Sequence, residues 1–209
     1  MMTFWYRVCW WICRIGLFFW HPVFHVVGRE LVPAGKAVLS VNHSGCADAI
    51  WLLLALDAPQ MCRIIAKKEL RSVPVVGWVM EKFRIIFVDR AAHDGTAYHE
   101  GVKALENDEK MMVFVEGTRC NGNKHVRAKT GAAVEADAPV VPVFITRNKT
   151  PWCPINVIFG EPYYLEKRDH WTHDAYQHEA DELLRKIYKL GGDTYADHIG
   201  EDSGLLLRS

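Results

Sequence analysis

The sequence has no C-x-x-C pair, no H-E-x-x-H segment, no clustered Cys/His spacing and no repeated Asp pattern. These absences remove the usual signatures of structural and catalytic metal sites. There is no excess of either charge: 25 Lys and Arg face 25 Asp and Glu, for a formal net charge of +0. No global field then draws nucleic acid, and any anion site must be local. Nor are there internal repeats or low-complexity linkers. The six cysteines, Cys9, Cys13, Cys46, Cys62, Cys120 and Cys153, are too scattered for a secreted disulfide framework. They read as reduced thiols of a cytosol-facing protein, most of them small buried residues. A hydrophobic content of 50% and a charged content of 24% are those of a folded protein rather than a disordered one. A length of 209 residues suits one domain with a sizeable core and an added terminal element.

An uninterrupted spanning run is also missing. Residues 4–27 are apolar and rich in aromatics, but Arg7 and Arg14 interrupt them and Pro22 breaks the pattern. A spanning helix needs about 20 mainly apolar residues, and a mid-span arginine is costly. The two arginines are seven apart and so share a helix face. This predicts an amphipathic helix lying in the membrane interface, arginines toward lipid phosphates and Trp rings at headgroup depth. A true span and a helix buried in the core are the alternatives. A signal peptide fits less well, because Arg14 breaks the hydrophobic centre and no small-x-small site follows.

Beyond that segment, short continuous apolar runs at 37–41, 61–66, 84–88, 111–115, 140–145 and 155–159 read as strands covered on both faces. Helix-like stretches lie between them at 47–56, 75–82, 96–107 and 127–136. An amphipathic helix follows at 172–190, with Ala180, Leu183, Leu184, Ile187 and Tyr188 as its apolar stripe and Gly191-Gly192 as its stop. The alternation predicts an α/β fold with a mixed, largely parallel sheet flanked by helices, plus the N-terminal membrane-associating helical element. The expected organisation is that element at 1–27, a catalytic domain at 28–190 and a tail at 191–209.

Four stretches carry candidate chemistry. In the first, His43 ends a strand-like run and Asp48 opens a helix-like one, with Ser44 and Gly45 between them. Such turns at the carboxyl ends of strands are where α/β proteins bind ligands. A carboxylate on one imidazole nitrogen fixes the tautomer and frees the other nitrogen as a base. The competing reading is Asp48 as a plain helix N-terminal residue beside an exposed His43. In the second, a strand-like run delivers Glu116, Gly117, Thr118 and Arg119. Gly117 permits close backbone approach, and Arg119 can clamp a phosphate bidentately while Glu116 orients it or an acceptor hydroxyl. A charged surface turn is the alternative there. In the third, Arg90 follows another strand, so two arginines can converge on one anion; Lys67 and Lys68 also follow a strand and read as solvated. The fourth is an apolar strand holding Pro139 and Pro142, where proline belongs at a start, an edge or a bulge.

These blocks, in this order, resemble the 1-acylglycerol-3-phosphate O-acyltransferase (lysophosphatidate acyltransferase) family over roughly residues 28–162. Asn42, His43 and Asp48 match its N-H-x4-D motif, and Arg90 the arginine of its second motif. Phe114, Glu116, Gly117, Thr118 and Arg119 match F-P-E-G-T-R-S, and Pro139 and Pro142 its proline-containing strand. Val115 and Cys120 depart from that third motif's proline and serine, and Lys129 with Gly131 resembles a following K-x-G element.

The resemblance implies an enzyme of phospholipid biosynthesis that moves a fatty acyl group onto 1-acylglycerol 3-phosphate, giving phosphatidate. The donor would be acyl-CoA or acyl-ACP (acyl carrier protein) as co-substrate, with no cofactor and no metal. His43 and Asp48 would be catalytic, and Arg90, Glu116, Gly117, Thr118 and Arg119 would bind the acceptor phosphate. The partner would be a membrane lipid, lysophosphatidate, and not nucleic acid. The site of action would be the cytoplasmic face of the cell membrane, reached through residues 4–27. Alternatives are acyl transfer to glycerol 3-phosphate, a lyso-aminolipid or a glycolipid, and, from a different class, a metal-dependent hydrolase.

Overall fold

The computed structural model describes residues 3–56, 62–74, 76–83, 85–89, 95–116, 131–166 and 172–192. Among them run seven strands: β1 (Phe24–Val27), β2 (Ala37–Val41), β3 (Cys62–Lys67), β4 (Ile86–Val88), β5 (Lys110–Phe114), β6 (Val140–Ile145) and β7 (Ile155–Phe159). The helices are α1 (Thr3–Trp20), α2 (Asp48–Ala55), α3 (Val76–Lys82), α4 (Thr96–Glu106), α5 (Gly131–Glu135) and α6 (His173–Leu190). The strands form one sheet in the order β1-β7-β6-β2-β5-β3-β4. The block from β6 to β4 is parallel, β7 runs antiparallel to β6, and β1 runs parallel to β7. The expected mixed, largely parallel α/β sheet is therefore present.

Two apolar layers cover that sheet. Side chains of α1, α2 and α3, with Trp51 and Leu52 at the centre, pack with one face of the strands. Side chains of α4, α5 and α6 pack with the other, through Leu105, Ala133, Leu183 and Ile187. Central β2 and β6 are buried at every position, which is why their sequences are continuous apolar runs rather than alternating ones. The stripe read on α6 is the buried one, and the Thr172 hydroxyl caps the helix by accepting from the Ala175 N–H at 3.2 Å. The helix stops where a Cβ on Gly191 would come within 2.3 Å of the Phe144 ring.

Pro142 lies inside β6, against the usual preference for strand starts and edges. The β6–β7 ladder pairs Val143 with Phe159 and goes no further toward Pro142. Its carbonyl accepts from the Gly160 N–H just past the end of β7. The missing proline N–H thus falls on the side where the ladder has already stopped.

The N-terminal run differs from its expectation in two respects. Helix α1 ends at Trp20, before Pro22, and residues 24–27 form edge strand β1 instead of continuing the membrane segment. The two arginines also diverge: Arg7 is exposed, whereas Arg14 turns inward over the Phe24 ring at 5.4 Å. Among the described residues no helix is long and apolar enough to cross a membrane. The outer face of α1 still exposes Phe4, Trp11, Ile12, Ile15, Phe18, Phe19 and Trp20, while Cys9 faces the core. The five described cysteines form no disulfide with one another, and only Cys9 and Cys62 are buried. Burial pushes the Cys62 thiol up to about 12.

Candidate active site

Strand β2 continues past Val41 through an asparagine side chain. Asn42 is buried, its Nδ2 donates to the Ile145 carbonyl at 2.9 Å, and its Oδ1 accepts from the Ile145 N–H at 2.7 Å. The carboxamide thus pairs with β6 as a further backbone residue would. It fixes the chain at the position from which His43 projects.

His43 stands at the carboxyl end of β2 and Asp48 in the first turn of α2. Their side chains meet, with Nδ1 and Oδ2 2.9 Å apart. The same Oδ2 accepts from the backbone N–H of Ser44 at 2.8 Å and of Gly45 at 2.7 Å. Asp48 therefore holds both the 44–45 turn and the histidine ring; its bonds go to residues ahead of α2, whose start has no side-chain cap. Its burial is complete. Burial alone raises its pKa; the His43 bond, the Lys149 charge and the Gly45 N–H outweigh that and hold it below the usual carboxylate value. An ionised Asp48 accepts, so Nδ1 carries the proton and Nε2 is left as the basic nitrogen.

Two further contacts hold the imidazole. Phe114, the last residue of β5, stacks on it with ring centroids 4.0 Å apart and planes at 25°. The His43 backbone N–H donates to Glu116 Oε2 at 3.0 Å, and the Tyr188 hydroxyl donates to Oε1. The ring keeps 18% of its side-chain surface exposed, so a substrate can reach it.

Glu116, grouped in the sequence with the phosphate-binding residues, is 6% exposed and its two oxygens are taken by His43 and Tyr188. Burial raises its pKa against the opposing pull of those bonds and of the His43 and Arg147 charges. A buried carboxylate in this place holds the His43 backbone.

Arg90, Gly117, Thr118 and Arg119 lie outside the described residues. Lys67 and Lys68 lie exposed at the carboxyl end of β3, two strands from β2. The sequence reading missed one cation altogether. Lys149, in the loop after β6, puts its Nζ 2.6 Å from Asp48 Oδ1. No spacing rule points to it, because it meets Asp48 only through the β2–β6 register. Tyr188 was seen only as part of the α6 apolar stripe.

The topology explains why these groups meet. From β2 the chain passes to α2 on one face of the sheet; from the neighbouring β5 it passes to α5 on the other. In open α/β sheets, strand ends whose connections part to opposite faces are the usual binding crevice. His43 sits there partly exposed, with Glu116 buried against its backbone. Among the described residues, no three of His, Cys, Asp and Glu gather as a metal site.

Residues 23–146 match the family described as Acyltransferase. The chain belongs to the acyltransferase family. This membership favours acyl transfer over the hydrolase alternative. The protein is 32% identical over 144 residues to the 1-acyl-sn-glycerol-3-phosphate acyltransferase of Saccharomyces cerevisiae, covering 65% of this chain and 46% of the yeast protein. It is 30% identical over 138 residues to the lyso-ornithine lipid O-acyltransferase of Brucella abortus, covering 62% and 50%. The acyltransferase thus spans about half the length of the curated relatives it matches. Its fold is similar to the crystal structure of the 1-acyl-sn-glycerophosphate (LPA) acyltransferase of Thermotoga maritima. The TM-score is 0.66 at 24% identity, over 89% of this chain and 79% of that one.

Proposed function

We propose that the chain transfers a fatty acyl group from an acyl thioester, acyl-CoA or acyl-ACP, to the free hydroxyl of 1-acylglycerol 3-phosphate, giving phosphatidate. The observation that carries this is the 2.9 Å contact between His43 Nδ1 and buried Asp48, with the ring partly exposed at the strand ends, the usual binding crevice of open α/β sheets. Nε2 takes the proton of the acceptor hydroxyl as its oxygen attacks the thioester carbonyl. The C–S bond breaks, the thiolate leaves and the proton passes on to it. The acceptor alcohol is itself the nucleophile, so no covalent acyl-enzyme forms. Asp48 stabilises the imidazolium as it appears.

The acceptor phosphate needs cations near that crevice. Arg119 follows β5 in the chain and Arg90 follows β4, with Gly117 and Thr118 beside the former; we assign them this role. Exposed Lys67 and Lys68 at the end of β3 add positive charge between those strands. The aromatic outer face of α1 supports docking in the interface of the cytoplasmic leaflet, where the lipid acceptor resides.

The test is acyl transfer from acyl-CoA and acyl-ACP to lysophosphatidate, glycerol 3-phosphate and a lyso-ornithine lipid. Wild type should prefer lysophosphatidate, and His43→Ala should lose about 10²–10⁴-fold in kcat while still binding substrate. Preference for an acceptor without phosphate would remove the role given to Arg90 and Arg119. Full activity in His43→Ala would remove the mechanism.

A further inference from the structure

Asp48 Oδ2 receives three donors, but Oδ1 meets a single group among the described residues, the ammonium of Lys149 at 2.6 Å. Lys149 is only 15% exposed on its side chain. Its Nζ also donates to Ser44 Oγ at 2.5 Å and to the Thr146 carbonyl at 2.7 Å. One cation thus touches the carboxylate of the dyad and the turn that carries the base. Gly45 leaves the room for it, since a Cβ there would lie 2.9 Å from Lys149 Cδ and 3.4 Å from Cε.

The loop bearing Lys149 is itself held. Asn42 clamps Ile145 at its start, and Thr146 and Asn156 bond to each other across it. Near its far end the Trp152 N–H donates to the Trp20 carbonyl, and the His21 ring bonds to the Cys153 carbonyl at 2.9 Å. A lysine delivered by such a loop is placed, unlike a surface lysine free to sample rotamers.

We propose that Lys149 is a positioning residue of the dyad: it holds Asp48 and the 43–45 turn, and it offsets part of the carboxylate charge so that the His43 ring stays neutral and ready to accept a proton. This rests on the acyl-transfer reading above. A lone buried carboxylate strongly favours the imidazolium, and an imidazolium cannot act as a base. The second cation on Oδ1 opposes that bias. The charged and titratable groups around the ring are Asp48 from α2, Glu116 from the end of β5, Tyr188 of α6 on Glu116, and Arg147 and Lys149 from the loop after β6.

The experiment uses the full chain as wild type, Lys149→Met and Lys149→Arg. It follows the His43 imidazole by NMR against pH, and kcat/KM for lysophosphatidate acylation against pH. In Lys149→Met, both the NMR midpoint and the acid limb of kcat/KM should move up by about one pH unit. At neutral pH its kcat should fall about tenfold, with acceptor KM within about twofold. Lys149→Arg should keep the wild-type midpoint. An unchanged or lower midpoint in folded Lys149→Met overturns the proposal. So does a rise confined to acceptor KM, which would make Lys149 a substrate ligand. Should Lys149→Met not fold, Gly45→Ala, which crowds the Lys149 stem, is read by the same two outcomes. Absence of acyl transfer in wild type would sink the function proposed above, while the NMR titration would still decide this inference.

Discussion

Charged side chains are buried at both ends of the central strands, under different arrangements. At the amino end of β5, Lys110 is 3% exposed and donates to the Ala34 and Gly35 carbonyls at 2.9 Å each. Nearby, the Lys36 N–H donates to Asp108, and Arg63 pairs with Glu109 at 2.5 Å. These contacts join charge to backbone or to another charge, and none of them involves an imidazole. At the carboxyl end, Asp48 takes three donors on one oxygen and Lys149 on the other, and the contacts converge on a half-open imidazole. Burial of charge alone therefore does not mark a site. Convergence of buried charge on an accessible group that can move a proton does.

The sharpest way to break this contrast is to disarm each end and measure both rate and stability. Asp48→Asn keeps the shape of the turn but removes the charge that orients His43 and stabilises its protonated form. It should lose about 10²–10⁴-fold in kcat. Lys110→Met should leave kcat within about twofold and instead cost about 1–3 kcal/mol of stability, because two carbonyls lose their donor. Steady-state kinetics beside urea unfolding reads both. Equal kinetic damage from the two substitutions would show that the ends of the sheet are not functionally distinct.

The pattern of success in reading the sequence follows from interaction range. The runs 37–41 and 140–145 became β2 and β6 with those bounds, since strands buried on both faces need uninterrupted apolar residues; 155–159 became β7, which is fully buried only at alternate positions. His43 and Asp48 are five positions apart across one turn, so their contact was visible as a spacing. Lys149 meets Ser44 at a separation of 105 residues, and only the register of β6 against β2 brings it there. Glu116 was drawn to the phosphate group by its neighbour Arg119 in sequence, whereas its partners come from β2 and α6. Strand β1 was hidden because its four residues prolong the apolar run of α1, and only the position of Pro22 separates them.

A smaller effect comes from pH, where the two buried carboxylates at the His43 end pull in opposite directions. The folded pKa of Asp48 is lowered, so its contribution to stability is present above the unfolded value of 3.8 and is lost as pH falls through the folded value. That of Glu116 is raised, so its contribution is greatest below the unfolded value of 4.5 and is lost as pH rises through the folded value. Asp48→Asn should flatten the acid loss, and Glu116→Gln the decline on the rising side. At the other end, burial lowers the Lys110 pKa against the pull of Cys62 and Asp108. The folded form then binds fewer protons, so stability should rise as pH climbs through that lowered value toward 10.5, and Lys110→Met should not show this rise. Urea unfolding at a series of pH values checks all three slopes.

The smallest effect should come from the outermost contact of the site. Tyr188→Phe removes the hydroxyl that donates to Glu116 Oε1 while sparing the bond from the His43 backbone to Oε2. The ring of residue 188 still packs in the α6 layer, so the expected loss of stability is that of one hydrogen bond, about 1 kcal/mol. Because that bond lowers the Glu116 pKa, its removal should let burial push the carboxyl higher still. The stability decline assigned to Glu116 should then extend to higher pH than in wild type. With His43 still fixed by Asp48, Phe114 and Oε2, kcat should fall only a few-fold. A fall in kcat as large as that of Asp48→Asn would mean that α6, through Tyr188, holds the base more tightly than Asp48 does, and the boundary of the site would have to move outward to that helix.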